Sequence, residues 1–296
     1  IKRESSQVYY KAEFSFNGKK EKAENKKPAR LCTDEEYDLL SLAYPLLKSI
    51  CGFAPKWGML TGVRPSKLLL NKMDEIGEDG AVDYFTNRFF VDEKKTALAL
   101  SVAKAEKEII ENSPKNSFSL YISIPFCPTR CSYCSFVSHS IGTDSAKKLL
   151  PQYVEKLCEE ISFTAQKAKE AGLVLTTVYW GGGTPTTLSA EQLDVVLCAI
   201  EDNFDLSQCR EYTVEAGRPD TITEEKLSVL KKHNVNRISI NPQTFNDSVL
   251  REIGRCHTTA LTEEKFKQAR KAGFNTINMD LIAGLPTDTL ESFKHS

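Results

Sequence analysis

No stretch of these 296 residues is apolar for long enough to span a bilayer, and no secretory signal opens the chain. Both absences favour a cytoplasmic protein. No charge of one sign dominates either: 39 Lys and Arg stand against 40 Asp and Glu, a net charge of -1. Such a balance gives no general pull toward nucleic acid or an acidic membrane, and no nucleic-acid partner is expected. A disulfide framework is disfavoured as well. The nine cysteines are odd in number, no secretory signal accompanies them, and a reducing compartment fits them better. With 41% hydrophobic residues, the length suits one or two domains with a sizeable core.

Two regions differ in rhythm. From Val8 to Phe16 apolar residues alternate with Lys11, Glu13 and Ser15, which predicts a strand with one buried face. Asn17-Gly18 signals a turn, and the mixed Lys19–Lys27 stretch reads as a solvated hairpin tip. Thr33 with Glu36 has the form of a capping box, and helical patterns follow near 65–76, 81–90 and 93–110. Residues 1–115 therefore read as a small accessory α+β domain with no chemistry visible in it. From Ser117 the pattern changes. Strands over 119–125, 177–180, 211–216, 237–240 and 276–282 alternate with helices over 146–171, 190–203, 224–233 and 263–272. That alternation means βαβ units and a parallel sheet. The fold class expected of residues 116–296 is α/β, a partial TIM-like (β/α) barrel. Five strands do not close a barrel. The chain also begins at Ile1 rather than Met and stops at Ser296 inside a fifth helical pattern, so a barrel truncated at its C-terminus is expected.

Sites in such folds form where the carboxyl ends of the strands open into loops. Cys127, Cys131 and Cys134 fall in the loop after the first strand of the repeat, at spacings of three residues and then two. Three thiolates on one loop can each hold a different iron of a [4Fe–4S] cube. The fourth iron is then left to a small molecule bearing an amine and a carboxylate. Spacing alone leaves two alternatives. One is zinc, with His139 as a fourth ligand; the other is three buried structural thiols. After the second strand comes Gly181-Gly182-Gly183-Thr184-Pro185-Thr186, a turn that allows close backbone approach; no Lys-Ser/Thr follows, so it is not a P-loop. Glu215, Gln243 and Asp280 lie at or near later strand ends, with Arg255 between the last two. Glu215 could instead pair with Arg218, Arg255 with Glu252, and Asp280 could serve a turn. His257 and Cys256 lack partners at ligand spacing, and His233 reads as a helix-terminus residue.

The run from Tyr121 to Phe136, with C-x3-C-x2-C and Tyr133 before its last cysteine, resembles the radical S-adenosylmethionine (SAM) superfamily signature. More narrowly it is similar to the oxygen-independent coproporphyrinogen III oxidase family (HemN, HemW, HemZ). Trp57–Pro65 and Glu215-Ala216-Gly217-Arg218-Pro219-Asp220 look most like the HemZ branch. The resemblance implies two cofactors, a [4Fe–4S] cluster on Cys127, Cys131 and Cys134, and SAM. Gly182, Gly183, Thr184 and Glu215 would hold the amino end of SAM, Arg255 its carboxylate, and Gln243 and Asp280 the ribose hydroxyls. Tyr121 and Tyr133 would lie beside it. No protein side chain beyond the cluster ligands is assigned a catalytic role. The chemistry implied is reductive SAM cleavage followed by hydrogen abstraction, as in the family's oxidation of two coproporphyrinogen III propionates to vinyl groups in heme biosynthesis. A tetrapyrrole or heme is the implied partner, with an electron donor such as flavodoxin or ferredoxin. The oxidase proper is associated with a fourth cysteine two residues after the third; here that position is Phe136, as the heme-chaperone branch tends to show. Arg130, Arg218 and Arg237 are candidates for holding propionates, with surface charge as the simpler reading of each.

Overall fold

The structure, a computed structural model, describes residues 1–31, 34–136 and 138–296. The chain forms two compact units, Ile1–Ser113 and Pro114–Ser296.

In the first unit β1 (Lys2–Arg3), β2 (Gln7–Phe16) and β3 (Lys19–Pro28) form an antiparallel sheet. The turn is Asn17-Gly18, both at positive φ, and β3 pairs with β2 along its whole length. Lys19–Lys27 is thus a strand rather than a hairpin tip. Its residues opposite the apolar face of β2 are Glu21, Ala23, Asn25 and Lys27, so it carries no apolar alternation to announce it. Burial on β2 holds for Val8, Tyr10 and Ala12 and fades to 53% exposure at Phe16. The helix α1 (Glu35–Cys51) packs on this sheet. Thr33, expected to cap it, lies outside the described residues; Asp34 accepts from the Tyr37 amide at 3.0 Å. The buried Asp38 carboxylate is held by Lys27 and by the Tyr10 hydroxyl at 3.2 Å. The helices α2 (Pro65–Asp83) and α3 (Glu93–Glu111) enclose Leu69, Phe85, Val91 and Ala103. Gly58 lies where Met59 donates to the Phe89 carbonyl; a Cβ there would stand 2.0 Å from that oxygen.

The second unit alternates strand and helix: β4 (Ser117–Ile124), the short β5 (Phe126–Cys127) and β6 (His139–Ser140), α4 (Asp144–Glu170), β7 (Val174–Gly182), α5 (Ala190–Asn203), β8 (Glu211–Glu215), α6 (Glu224–Lys232), β9 (Arg237–Ser239), α7 (Asp247–Glu252), α8 (Thr259–Lys271), β10 (Thr276–Asn278) and α9 (Leu290–His295). The five long-range strands run parallel in the order β10-β9-β8-β7-β4, each successive βα unit adding on the same side. This is the α/β arrangement expected of the sequence. Its cause is visible in the periods. On β4, Leu120, Ile122 and Ile124 are buried while Ser119, Tyr121 and Ser123 face the open side. On α4, Val154, Leu157, Ile161, Ala165 and Ala168 recur every three or four residues and are buried. With Trp180, Leu193, Leu197, Ile200 and Ile238 they form one core between sheet and helices. Each fully buried aliphatic side chain there contributes about 1.5–3 kcal/mol.

Candidate functional site

The strand ends converge as expected. One cavity of roughly 200 Å³ is lined by Cys127, Cys131, Tyr133 and Cys134 from the loop after β4, and by Gly182, Gly183 and Thr184 after β7. Glu215 from β8, with Gln243, Arg255 and Asp280 from the later loops, completes it. Of the residues singled out for this site, Tyr121 alone does not line the cavity. Its ring stacks on Tyr179 at 6.0 Å, on the open face of the sheet.

The cysteine loop is held from three sides. Gly183 donates its amide to the Ile124 carbonyl at 2.9 Å and Thr184 donates to the Phe126 carbonyl at 2.8 Å. A Cβ on Gly183 would lie 2.6 Å from Phe126 O, 2.9 Å from Ile124 O and 3.0 Å from Cys127 Sγ. The close approach that makes this position glycine is therefore the approach of the cysteine loop itself, and the turn spends these two amides on that loop. From another side Ser132 donates to the Ile253 carbonyl at 3.0 Å and Thr129 Oγ1 to the Gly254 carbonyl at 2.8 Å. The third support is Arg218. It is not surface charge: it is 2% exposed, donates to Thr129 O at 3.2 Å and Thr129 Oγ1 at 3.1 Å, and pairs with Asp220 at 3.3 Å rather than with Glu215.

The cavity's other wall is polar. Glu215 accepts from the Tyr179 hydroxyl at 2.5 Å. Burial pushes the Glu215 carboxyl above the ordinary range; the Tyr179 hydrogen bond opposes that and the Asp280 charge adds to it. Arg255 does not pair with Glu252. Its Nη1 donates to Asn241 O at 2.8 Å and Gly217 O at 3.1 Å, while its Nε is buried with no partner. Gln243 sits at φ +65, is buried, and its Oε1 likewise has no partner. Asp280 receives hydrogen bonds from Asn241 Nδ2 at 3.0 Å and Asn278 Nδ2 at 2.8 Å, and its carbonyl accepts from the Gln243 amide at 2.9 Å. The Tyr133 phenol is pushed up to about 12, chiefly by burial, with the Arg255 charge pulling the other way. Leaving a buried polar group unsatisfied costs about 1–3 kcal/mol, so an orphan donor on Arg255 and an orphan acceptor on Gln243 in one cavity suit a ligand that brings an anionic oxygen and a hydroxyl.

Asn241, Thr129 and Gly254 are functional residues that sequence reasoning missed; Arg218 was considered only for propionates, for Glu215 or as surface charge, not as a support of the cysteine loop. Of the arginines considered for propionates, Arg130 lines the cavity, whereas Arg237 pairs with Glu211 at 3.2 Å at the opposite end of the sheet. His233 does cap a helix end, and its two ring nitrogens also meet Glu201 at 2.8 Å and Asp194 at 2.9 Å, tying α6 to α5. Among the described residues every cysteine is free. Among them, too, the trio of ligand types whose donor atoms all lie within 4.8 Å of one another is Asp194, Cys198 and His233; the three loop thiols stand wider apart than that.

Residues 121–296 match the family model described as the radical SAM superfamily. The chain belongs to that superfamily. Membership implies a [4Fe–4S] cluster and SAM. Within the superfamily, the chain is 40% identical over 255 residues to the oxygen-independent coproporphyrinogen-III oxidase-like protein HemZ of Bacillus subtilis, covering 85% of this chain and 50% of that protein. It is 41% identical over 177 residues to the heme chaperone HemW of Lactococcus lactis, covering 60% and 44%. Among solved structures, coproporphyrinogen III oxidase HemN from Escherichia coli superposes with a TM-score of 0.55 at 32% identity, over 65% of this chain and 43% of that one. The chain spans about half the length of the curated relatives it matches. Among the described residues no helix is long and apolar enough to cross a membrane.

Proposed function

We propose that this chain carries the cluster- and SAM-binding core of a radical SAM oxidoreductase that acts on coproporphyrinogen III or a similar tetrapyrrole. The observation that carries the reading is the meeting, in one cavity, of three free thiols on one loop with the unpartnered Arg255 Nε and Gln243 Oε1. Cys127, Cys131 and Cys134 would hold a [4Fe–4S] cluster and leave one iron for SAM.

When bound, the cluster would supply an electron that splits SAM into methionine and a 5′-deoxyadenosyl radical able to take hydrogen from a substrate carbon. The protein's part is placement. Arg255, already braced by two carbonyls, offers its free Nε to the SAM carboxylate. Glu215 accepts from the SAM ammonium, and Tyr179 holds that carboxylate in place. Gln243 Oε1 accepts from a ribose hydroxyl, and the backbone bond from Gln243 to Asp280 keeps two ribose acceptors in register. An electron donor such as flavodoxin or ferredoxin would serve the cluster.

One observation favours a second reading, heme delivery. Phe136, 62% exposed at the cavity, occupies the position where the oxidase proper is associated with a fourth cysteine. The test is anaerobic reconstitution followed by incubation with coproporphyrinogen III, SAM and reductant. Vinyl product bears out the oxidase reading. Absence of vinyl product with stoichiometric heme binding moves the assignment to heme delivery. One zinc per chain without iron–sulfur absorbance overturns the cluster.

A further inference from the structure

A guanidinium taken out of water must be fully paired, and Arg218 is. It leaves the turn after β8 and reaches the cysteine loop. Nη1 donates to Thr129 O and stands 3.8 Å from Cys131 Sγ. Nη2 donates to Thr129 Oγ1, which in turn donates to Gly254 O. Nε and Nη2 face the two Asp220 oxygens at 3.3 and 3.4 Å. The result is an ion pair with direction: its positive end lies against a cysteine sulfur and its negative end behind. Behind Asp220 the buried His257 has Nδ1 3.9 Å from Oδ1. Burial pushes its pKa down to about 4, so near neutral pH it adds no second positive charge to the one Arg218 sets against Asp220.

We propose that Arg218 is a positioning residue for the redox centre on the cysteine loop: it fixes the Cys131 sulfur and sets the reduction potential of the centre, with Asp220 moderating its charge. The inference rests on the cluster reading above. A reduced cluster carries one more negative charge than the oxidised one. Hydrogen bonds to its sulfurs and nearby positive charge therefore favour reduction. Arg218 supplies both and Asp220 subtracts part of the second. The two residues should act with opposite sign.

The experiment is an anaerobic potentiometric titration, followed by electron paramagnetic resonance without SAM, on the reconstituted wild-type protein and the Arg218→Met, Arg218→Lys and Asp220→Asn variants. Arg218→Met should lower the midpoint potential by about 59 mV or more, a tenfold change in a one-electron equilibrium. Arg218→Lys should recover part of that shift, keeping the charge without the fork. Asp220→Asn should raise the potential. Opposite signs cannot come from a loosened loop, which would move both variants the same way. Should Arg218→Met fail to hold iron, Asp220→Asn decides alone. Unchanged potentials at wild-type iron content, or shifts of one sign in both, overturn the proposal. A wild-type protein that takes up no cluster overturns the cluster reading beneath it.

Discussion

Gly183→Ala is the sharpest perturbation available, because one added carbon meets the cysteine loop directly. Its Cβ would sit 2.6 Å from Phe126 O where ordinary contact begins at 3.4 Å, so that carbonyl must retreat by about 0.8 Å. Ile124 O, at 2.9 Å, and Cys127 Sγ, at 3.0 Å, must yield as well. The first two are backbone atoms and cannot swing aside. They are also the acceptors of the Thr184 and Gly183 amides, so the same shift stretches the two bonds that fasten the loop. Overpacking costs about 1–3 kcal/mol and each weakened hydrogen bond about 0.5–1.5 kcal/mol, giving roughly 2–6 kcal/mol in all. For a unit of this size, at about 2–4 °C per kcal/mol, that is a drop of about 4–24 °C in the melting temperature. The effect on metal is larger, since ligand positions must hold to about 0.2 Å. Gly142→Ala is the control: its Cβ would meet only Ser140 Oγ, at 3.5 Å. The assay is iron and sulfide per chain after anaerobic reconstitution, beside thermal unfolding of the unreconstituted protein. We expect the Gly183 variant to lose most of its iron and melt early while the control matches wild type. A Gly183→Ala protein with full iron and an unchanged melting temperature would refute the argument that this glycine exists to admit the cysteine loop.

The strands of the second unit were legible because buried apolar residues alternate or run together in them, and the helices between them because their apolar residues recur at three and four. α7 was not: six residues are too few to show a period. β3 was invisible for another reason. Its partner β2 carries the apolar residues of the hairpin, while β3 sets Lys27, Asn25, Ala23 and Glu21 opposite them, and pairing of that kind leaves no hydrophobic trace. In the site, residue types that imply chemistry could be read directly: three thiols at ligand spacing, carboxylates and an amide at strand ends. Burial of a charge could not. Arg218 stands in Gly217-Arg218-Pro219-Asp220, which reads as a surface turn, and only the fold brings Thr129 and Cys131 to its guanidinium. Asn241 was hidden similarly. Its side chain meets Asp280 across 39 residues of sequence, and its carbonyl braces Arg255. The close approach that the glycine turn suggested has a visible protein partner at Gly183, the cysteine loop, which only the fold brings there.

Arg255→Lys keeps a positive charge but loses the planar fork that serves Gly217 O and Asn241 O through Nη1 and leaves a separate Nε for a carboxylate. SAM affinity, measured anaerobically by equilibrium dialysis, should fall at least about tenfold, and undiminished binding would remove Arg255 from the SAM site. For Glu215 the sign of the pH effect follows from burial. Its folded pKa lies above that of an ordinary glutamate, so its contribution to stability is fully present below the ordinary value and is lost as pH rises through the folded pKa. Glu215→Gln, which never ionises, should therefore make the ligand-free protein melt higher than wild type at pH 8, with the gap narrowing toward pH 5, while weakening SAM binding at both. A gap that widens on acidification would mean that the carboxylate is stabilised in the fold, and that Tyr179 rather than burial governs its charge.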